Sequence, residues 1–559
     1  MNIWWKTVQT FILISLFLIP VYLILYKIYI PRVNAFGCFD DCFNYVAAYF
    51  MLYGKKLYSE IYFNHQFLIV YISTAIQYLT HPENIYELVL RHRQFLLLFS
   101  FLFNFLLIKR FLFPGILFVL FYEFNKFYIF GDRFLAESFI VYPLVYMVGL
   151  VWNKLHKKHL SLFDYILCAV LTYFVIFMRE PYTLSALFLF IVLLFGRPFP
   201  KEKSMGLACF ASLTIITLLS LPLKDYVSSL FVHARNILIL ESGYNSLLGL
   251  GSLKIFFYPA FLLFGGEWNV FRQLLVGLSS VFLFLSGYLV FVKKQLIPIL
   301  VIFIALALSN IRVVSPGSVF YEAFHMIPWY GMFVFLIFLI IQEIYGYQKK
   351  LALGSWIFLI GLFSYLIIQP LHFVHEKMDP HTEFITNYGK ELQIGEVIRL
   401  LSNPSDTLFL DGFDDLIYWQ AKLTSPYKYS WYTSGMPFID VYAKARLEMF
   451  EKNPPDFYYG TCPKDILESH LMPSSVRKDY VQLTSLDKPT CVYVHKTKIH
   501  DISKEQWRKA NEFLFSITDA EINGADLLQL SPTEFNLIKD HRCINAKLIN
   551  ADATGKCIT

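Results

Sequence analysis

Long apolar stretches alternate with short polar segments over the first two thirds of the chain. Several approach the roughly 20 residues that a helix needs to cross a bilayer. Because the first is too long for a signal-peptide core and no small-residue cleavage site follows it, we predict that it remains as a span. The pattern predicts a polytopic α-helical membrane protein with about eleven transmembrane helices, at 8–29, 94–108, 111–130, 138–152, 162–178, 181–195, 205–222, 269–291, 295–310, 325–344 and 351–372.

The pattern changes beyond residue 372. Short apolar segments at 407–412, 456–460 and 491–494 predict strands, separated by stretches compatible with helices. We therefore predict two domains: a transmembrane domain, 1–372, and a soluble α/β domain, 373–559, which is long enough to bury its own core.

Two segments of the transmembrane domain are predicted to lie at its surface. The first loop, about 30–93, mixes aromatic and charged residues, which is typical of amphipathic helices lying on a bilayer. The apolar stretch 255–266 is too short for a straight span, so we predict a re-entrant or interfacial segment.

Composition and charge support a membrane location. The 559 residues are 56% hydrophobic and 16% charged, unlike an ordinary soluble domain. The net charge of +6 could suggest nucleic acid, but the cations form short clusters between apolar runs, as topology determinants do, so no nucleic-acid partner is expected. The clusters fall in alternate loops, at 109–110, 154–158, 197–203, 293–294 and 349–350.

This alternation predicts the orientation of the chain. The cluster-bearing loops and the N-terminus are expected to be cytoplasmic, as the positive-inside rule requires. The first loop and the whole C-terminal domain are then extracytoplasmic. The expected location is the cytoplasmic (inner) membrane, where the protein contacts membrane lipids along its many spans.

The cysteines fit this orientation. Of eight, Cys168 and Cys209 lie inside predicted spans, and the other six fall on the predicted outer side, where disulfides are permitted. Zinc binding is the rival use, but no Cys-x-x-Cys or suitably spaced histidine accompanies them. Nearest-neighbour pairing predicts the disulfides Cys462–Cys491, Cys543–Cys557 and Cys38–Cys42.

The strongest chemical candidates are the adjacent acids Asp40 and Asp41, just beyond the first span. They could simply cap a helix, where carboxylates accept hydrogen bonds from free N–H groups. Alternatively, crowding could turn one of them into a base poised near neutrality, or the two could hold a divalent cation. Such a cation is the one cofactor that the sequence suggests.

Other ionisable residues lie at the ends of later spans. Glu137 opens an apolar helix, where a charge is costly unless it pairs or lines a cavity. A structural pair with Arg133 at helical spacing is the alternative. Arg179 and Arg312 lie on the predicted outer side, where they could contact lipid headgroups or bind a phosphate. His325 opens another span and could donate to that phosphate or be structural.

Three motifs resemble the GT-C superfamily of membrane glycosyltransferases, specifically the branch of protein O-mannosyltransferases and lipid A aminoarabinose transferases. In the first-loop motif an Asp lies fourteen residues before a Gly, followed by a Tyr and an Asn-Lys/His element. Gln66 and Phe67 stand where the family pattern has prolines, and Met326 stands where it has a tyrosine. These departures leave the subfamily and the substrate open. The matching residues are Asp40, Ala48, Gly54, Tyr58 and Asn64-His65, then Leu135-Ala136-Glu137-Ser138, then Phe324-His325-Met326-Ile327-Pro328.

The resemblance implies an inverting enzyme that transfers a sugar from a polyprenyl-phosphate donor to an extracytoplasmic acceptor, which could be a glycan, lipid or protein. It implies Asp40 as the base, with Asp41 and Glu137 beside it. The residues implied to bind the donor phosphate or substrate are Arg179, Arg312, His325, His65 and Arg133.

Other functions stay open at this point. A transporter or a lipid or oligosaccharide flippase would also place charges between spans, although no second half mirrors the first. An assembly factor would leave the acids unexplained. An oligosaccharide polymerase or ligase is a further alternative.

Overall fold

The computed structural model describes residues 3–29, 40–196, 201–241, 259, 263, 270–310, 323–368, 380–411, 415–430, 439–460, 479–485, 488–510 and 544–546. Up to residue 368 the described elements are helical. They are α1 (Ile3–Tyr29), α2 (Cys42–Leu52), α3 (Leu68–Thr80), α4 (Ile85–Phe111), α5 (Phe113–Asn125), α6 (Ala136–Leu155), α7 (Leu162–Met178), α8 (Thr183–Leu194), α9 (Lys201–Ser220), α10 (Leu223–Glu241), α11 (Val270–Gly287), α12 (Leu296–Leu308), α13 (Ile327–Tyr345) and α14 (Lys349–Ile368).

Each of the eleven predicted apolar stretches coincides with a described helix, so the predicted helical membrane class is confirmed. Among the described helices, six segments are long and apolar enough to cross a membrane by length and composition. Others, such as α8 and α12, are apolar but shorter. A span count of eleven therefore stays a prediction. The six segments are Val8–Tyr29, Ile85–Phe111, Ala136–Leu155, Lys201–Ser220, Val270–Val292 and Phe324–Tyr345.

Helices α6 and α13 form the centre of the bundle. The 18-residue apolar window of the segment Phe324–Tyr345 is 100% buried, as expected for a helix that is hydrophobic all round. Gly331 of α13 permits close approach to α6, because a methyl group there would overlap the side chain of Val141. The start of α6 and the start of α13 are thereby held side by side.

The first loop, for which amphipathic helices lying on the bilayer were predicted, contains the helices α2 and α3, and their interfacial position stays a prediction. Helix α2 is buried over most of its length, whereas its end and the outer face of α3 expose large apolar and aromatic side chains. Amphipathic residues of this kind favour the boundary between water and lipid. The exposed side chains are Leu52, Tyr53, Tyr71, Tyr78 and Leu79.

The remaining described elements form the C-terminal unit, residues 380–546. Its sheet has the strand order β1-β2-β4-β3-β5, with β1 and β2 parallel and the other neighbours antiparallel. The three predicted strands are confirmed as β1, β2 and β4, whereas β3 and β5 were not predicted. The elements are α15 (Pro380–Leu401), β1 (Leu408–Leu410), α16 (Leu416–Ala421), α17 (Asp440–Lys452), β2 (Phe457–Tyr459), β3 (Tyr480–Ser485), β4 (Lys488–His495), α18 (Lys496–Ile499) and β5 (Ile544–Ala546).

The C-terminal unit packs directly on the first loop. The hydroxyl of Tyr442 donates to that of Tyr62 over 3.0 Å, and the backbone N–H of Tyr62 donates to the carbonyl of Lys428 over 2.9 Å. The rings of Phe50 and Tyr418 meet edge to face with centroids 5.2 Å apart. The loop that carries Asp40 is therefore fixed by the C-terminal unit on one side and by the bundle on the other.

Some sequence predictions fall on positions outside the described residues. These include most of the 255–266 segment, both cysteines of the predicted disulfide Cys543–Cys557, and Cys462 of the predicted disulfide Cys462–Cys491. Cys42 is disulfide-bonded, but its predicted partner, Cys38, lies outside the described residues, so that pairing stays a prediction. Cys168 is a free, buried thiol and Cys209 is also free.

Candidate functional site

A small open cavity, whose empty space of about 250 Å³ includes the solvent at its mouth, lies where the first loop meets the starts and ends of the central helices. Four residues predicted to carry chemistry line it, although they come from three separate parts of the sequence. Its lining residues are Asp40, Phe43, Asn44, His65, Ile69, Leu135, Ala136, Glu137, Met178 and Arg179.

Helix termini place the charged side chains at this cavity. Asp40 lies in the turn before α2, where the side-chain amide of Asn44 donates to its carbonyl over 2.9 Å. Glu137 is in the first turn of α6, where a carboxylate interacts favourably with the helix dipole. Arg179 is the residue at which α7 ends, since its backbone is extended. The same end of the bundle thus presents all three.

Glu137 is the centre of a buried hydrogen-bond cluster. Its Oε1 accepts from the Nε of Arg179 over 3.0 Å and lies 3.1 Å from the Nδ1 of His325. Because a carboxylate can only accept, Nδ1 of His325 carries the proton of this hydrogen bond. The hydroxyl of Tyr182 donates to the backbone carbonyl of His325 over 2.7 Å, which restrains the position of the histidine.

His65 is held by a second carboxylate. Its Nδ1 lies 2.8 Å from Oε1 of Glu180, and its carbonyl accepts from the hydroxyl of Tyr58 over 2.7 Å. Burial lowers the pKa of His65 below its usual value, and the nearby Arg179 cation lowers it further, outweighing the opposite effect of Glu180. The imidazole is therefore neutral at pH 7 and donates from Nδ1 to Glu180.

The carboxylate of Asp40 is the available acid of the cavity. Within the part of the chain that the structure describes, it has no side-chain hydrogen bond or ion pair, and it is only partly buried. Arg179 and His65 are close enough to interact with it electrostatically. Such a carboxylate can accept a proton from a bound molecule.

Three of the predicted residues that the structure describes, Asp41, Arg133 and His325, are not among those that line the cavity. Asp41 is fully buried, and its Oδ2 accepts from the hydroxyl of Tyr45 over 3.4 Å. Arg133 is 1% exposed, with its guanidinium 5.1 Å from the centre of the Phe130 ring. Glu137 pairs with Arg179 and His325, so the alternative pair between Arg133 and Glu137 does not form. Arg312 lies outside the described residues.

A divalent cation on the acid pair was one interpretation of the sequence. The described segments contain no group of three or more His, Cys, Asp or Glu side chains arranged to hold a metal ion. Asp40 lines the cavity whereas Asp41 does not. Dependence on a divalent cation therefore stays a prediction, and the described residues define no set of ligands for it.

Glu180 is the site residue that the sequence reasoning missed. It follows Arg179 directly in the chain, and its Oε1 accepts the hydrogen bond from Nδ1 of the neutral His65 over 2.8 Å. The sequence contained a signal for this role, because placing an acid and an arginine between two apolar stretches costs free energy unless both side chains have partners.

Comparison with known proteins gives a distant structural likeness. No protein-family model matches the chain, and no curated protein matches it. The structure is similar to ArnT from Cupriavidus metallidurans in the apo state, with 9% identity, a TM-score of 0.48, and coverage of 86% of this chain and 98% of that chain. The same protein bound to undecaprenyl phosphate gives a TM-score of 0.45 at 9% identity, covering 86% and 97%.

At TM-scores below 0.5, this likeness by itself assigns no function to the chain.

Proposed function

We propose that the protein is a membrane glycosyltransferase that moves a sugar from a polyprenyl-phosphate donor to an extracytoplasmic acceptor. The observation that carries the proposal is the cavity, in which Asp40, His65, Glu137 and Arg179 converge. Two of the three sequence motifs that resemble GT-C enzymes supply lining residues, and His325 of the third bonds to Glu137. The donor class and acceptor location follow from that resemblance and from the distribution of basic residues.

Asp40 acts as the general base. Its carboxylate takes the proton of an acceptor hydroxyl or amine while the acceptor heteroatom bonds to the anomeric carbon. The bond from that carbon to the phosphate oxygen breaks, and its electron pair leaves with the polyprenyl phosphate. Attack from the face opposite the leaving group inverts the anomeric configuration.

Arg179 binds the phosphate that leaves, and Nε2 of His325 donates to the same phosphate when the imidazole carries a second proton. Nε of Arg179 is committed to Glu137, which leaves the two terminal nitrogens of the guanidinium to meet phosphate oxygens in a planar fork. Glu137 then acts by orienting Arg179 and His325, because its Oε1 accepts from both. His65 is neutral and holds the loop beside the sugar.

The architecture suits a lipid-linked donor. In the proposed arrangement, residues 1–372 form the catalytic transmembrane domain and 373–559 the extracytoplasmic domain, with the N-terminus cytoplasmic. The donor tail stays in the bilayer beside the bundle, and its head reaches the cavity at the level of the first loop. The exposed tyrosines of α3 match the same boundary.

The test is the Asp40→Asn variant, purified with its lipid environment and assayed with a panel of short-chain polyprenyl-phosphate sugars. We expect transfer to fall by on the order of 10²–10⁴, as for loss of a general base. Asp440→Asn is the matched control, because Asp440 is exposed in the C-terminal unit. Near-normal turnover by folded Asp40→Asn would exclude the base, and movement of the lipid-linked sugar across vesicles without bond cleavage would favour a flippase.

A further inference from the structure

A chain of buried hydrogen bonds leads from the C-terminal unit to the acid pair. Nε1 of Trp419, on α16, donates to Oε1 of Gln77 on α3 over 3.1 Å. Nε2 of Gln77 in turn donates to the backbone carbonyl of Tyr45 over 2.9 Å and to the hydroxyl of Ser73 over 3.2 Å. The amide oxygen of Gln77 thus bonds to α16 of the C-terminal unit, and its amide nitrogen bonds to α2 and to Ser73 of its own helix.

The chain continues from Tyr45 to the turn before α2. The hydroxyl of Tyr45 donates to Oδ2 of Asp41 over 3.4 Å, and Asp41 is the direct neighbour of Asp40. Trp419, Gln77, Tyr45 and Asp41 are all at most 4% exposed. Buried polar side chains with satisfied partners fix a unique arrangement, because any displacement leaves a group without its hydrogen bond.

Asp41 is also surrounded by buried charged and polar groups. Arg93 from α4, Arg133 from the segment before α6 and Tyr388 from α15 interact with it electrostatically. Tyr388 belongs to the C-terminal unit, so this unit reaches the same carboxylate by a second route. The acid pair is thus divided: Asp40 lines the cavity, and Asp41 is anchored in protein.

We propose that the C-terminal unit positions Asp40 for the reaction through the path Trp419–Gln77–Tyr45–Asp41. In this proposal Asp41 and Tyr45 are positioning residues. The C-terminal unit acts as a brace, which means that its contacts restrict the movement of residues 40–45. The inference rests on the proposed function for its kinetic consequence. Its structural content, that Trp419 holds the segment 40–45 in place, stands without it.

The physical reason is the sensitivity of catalysis to geometry. Two consecutive residues share one backbone segment, so fixing the carboxylate of Asp41 restricts the torsion angles that aim Asp40 into the cavity. Small misplacements of a catalytic group are expensive, since an error of about 1 Å can cost roughly 100-fold in rate. A brace on Asp41 would therefore act on turnover and leave donor binding unchanged.

The experiment compares Trp419→Phe and Tyr45→Phe with Trp507→Phe in the full-length protein in lipid nanodiscs. Each test variant keeps an aromatic ring and removes one hydrogen-bond donor of the path. Trp507 is the matched control, because it is a buried tryptophan of the same unit, 3% exposed, with no hydrogen bond to the first loop within the described residues. Two test variants at different points guard against a folding defect in one.

Two readouts separate the possibilities. For transfer from a short-chain polyprenyl-phosphate sugar, we expect kcat to fall about 10-fold in both test variants with the donor KM unchanged. For amide hydrogen exchange, we expect faster exchange of the segment 40–52 in both test variants and not in the control.

Each outcome decides one question. Unchanged exchange at 40–52 in both test variants would overturn the brace, whatever the kinetics. A raised donor KM with normal kcat would also overturn it, because the C-terminal unit would then bind substrate. If the wild-type protein transfers no sugar with any donor of the panel, the proposed function fails, and the exchange measurement alone decides the coupling.

Discussion

Arg179 and Glu137 form a buried ion pair across the ends of two helices, with Nε and Oε1 separated by 3.0 Å and both side chains less than 10% exposed. The pair brings the end of α7 to the start of α6 at the wall of the cavity. A buried charge that loses its partner is strongly destabilising, so each residue depends on the other to remain charged there. The ion pair thus holds the guanidinium of Arg179 near Asp40, and the carboxylate of Glu137 balances its charge.

The first prediction concerns this pair. Glu137→Gln keeps the side-chain volume and leaves the Arg179 cation uncompensated, so we expect a loss of about 3–5 kcal/mol in stability. Arg179→Gln should cost a similar amount. Because the two residues share one interaction, the double variant should lose less than the sum of the single changes. Thermal unfolding in detergent measures this, and strictly additive losses would exclude the coupling.

The second prediction concerns pH. Burial and Arg179 lower the pKa of His65 in the folded protein below the value of about 6.5 expected for the unfolded chain. The unfolded chain therefore binds the proton more readily, and the stabilising contribution is present above pH 6.5 and lost as the pH falls through the lowered pKa.

We therefore expect acidification from pH 7 to pH 5 to lower the unfolding temperature of the wild type more than that of His65→Gln. Glutamine can still donate to Glu180 but does not titrate. Equal shifts for both proteins over this range would contradict a buried neutral histidine.

The third prediction concerns the packing of the central helices. Gly331→Ala places a methyl group against Val141, which is β-branched and cannot yield easily, so overpacking should cost about 1–3 kcal/mol. Gly361→Ala on α14 is the control, because a methyl group there meets nothing within 4 Å. That control should be neutral or slightly stabilising, since Ala is the better helix former. Unfolding temperatures that are equal for both variants would contradict the close contact.

The fourth prediction concerns orientation. Single cysteines at Ser59 and Lys504 should react with a membrane-impermeant maleimide added outside intact cells, whereas one at Lys157 should react only after lysis. The basis is the positive-inside distribution of the basic clusters. Reaction of Ser59→Cys from the cytoplasmic side alone would reverse the topology and remove the cavity from the compartment that the proposed reaction needs.

The sequence predicted the helices well because apolar stretches are long and continuous in this chain. It predicted less about partners. Arg133 and Glu137 have helical spacing, but α6 begins only at Ala136, so the rule for residues four apart on one helix does not apply to them. Glu137 instead pairs with Arg179 and His325, which are distant in the chain. The motifs therefore predicted which charged residues belong to the site, but the pairing between them is decided by how the helices pack in the bundle.

The C-terminal unit shows a second limit. Its strands β1, β2 and β4 were visible as short apolar runs. Its contact with the first loop was not, because Trp419 and Gln77 are 342 residues apart and neither residue belongs to a motif. Long-range hydrogen bonds between single side chains leave no local pattern in a sequence.

The enclosure of α13 has a consequence for biosynthesis. Glu137 enters the membrane with α6, but His325 lies 188 residues further along the chain, immediately before α13. Until α13 has joined α6, the cluster around Glu137 lacks one of its two donors, and the contact from Trp419 is made later still. A nascent chain therefore carries the Glu137 cluster without its histidine donor through most of its synthesis, although every residue that lines the cavity has been added once Arg179 is in place.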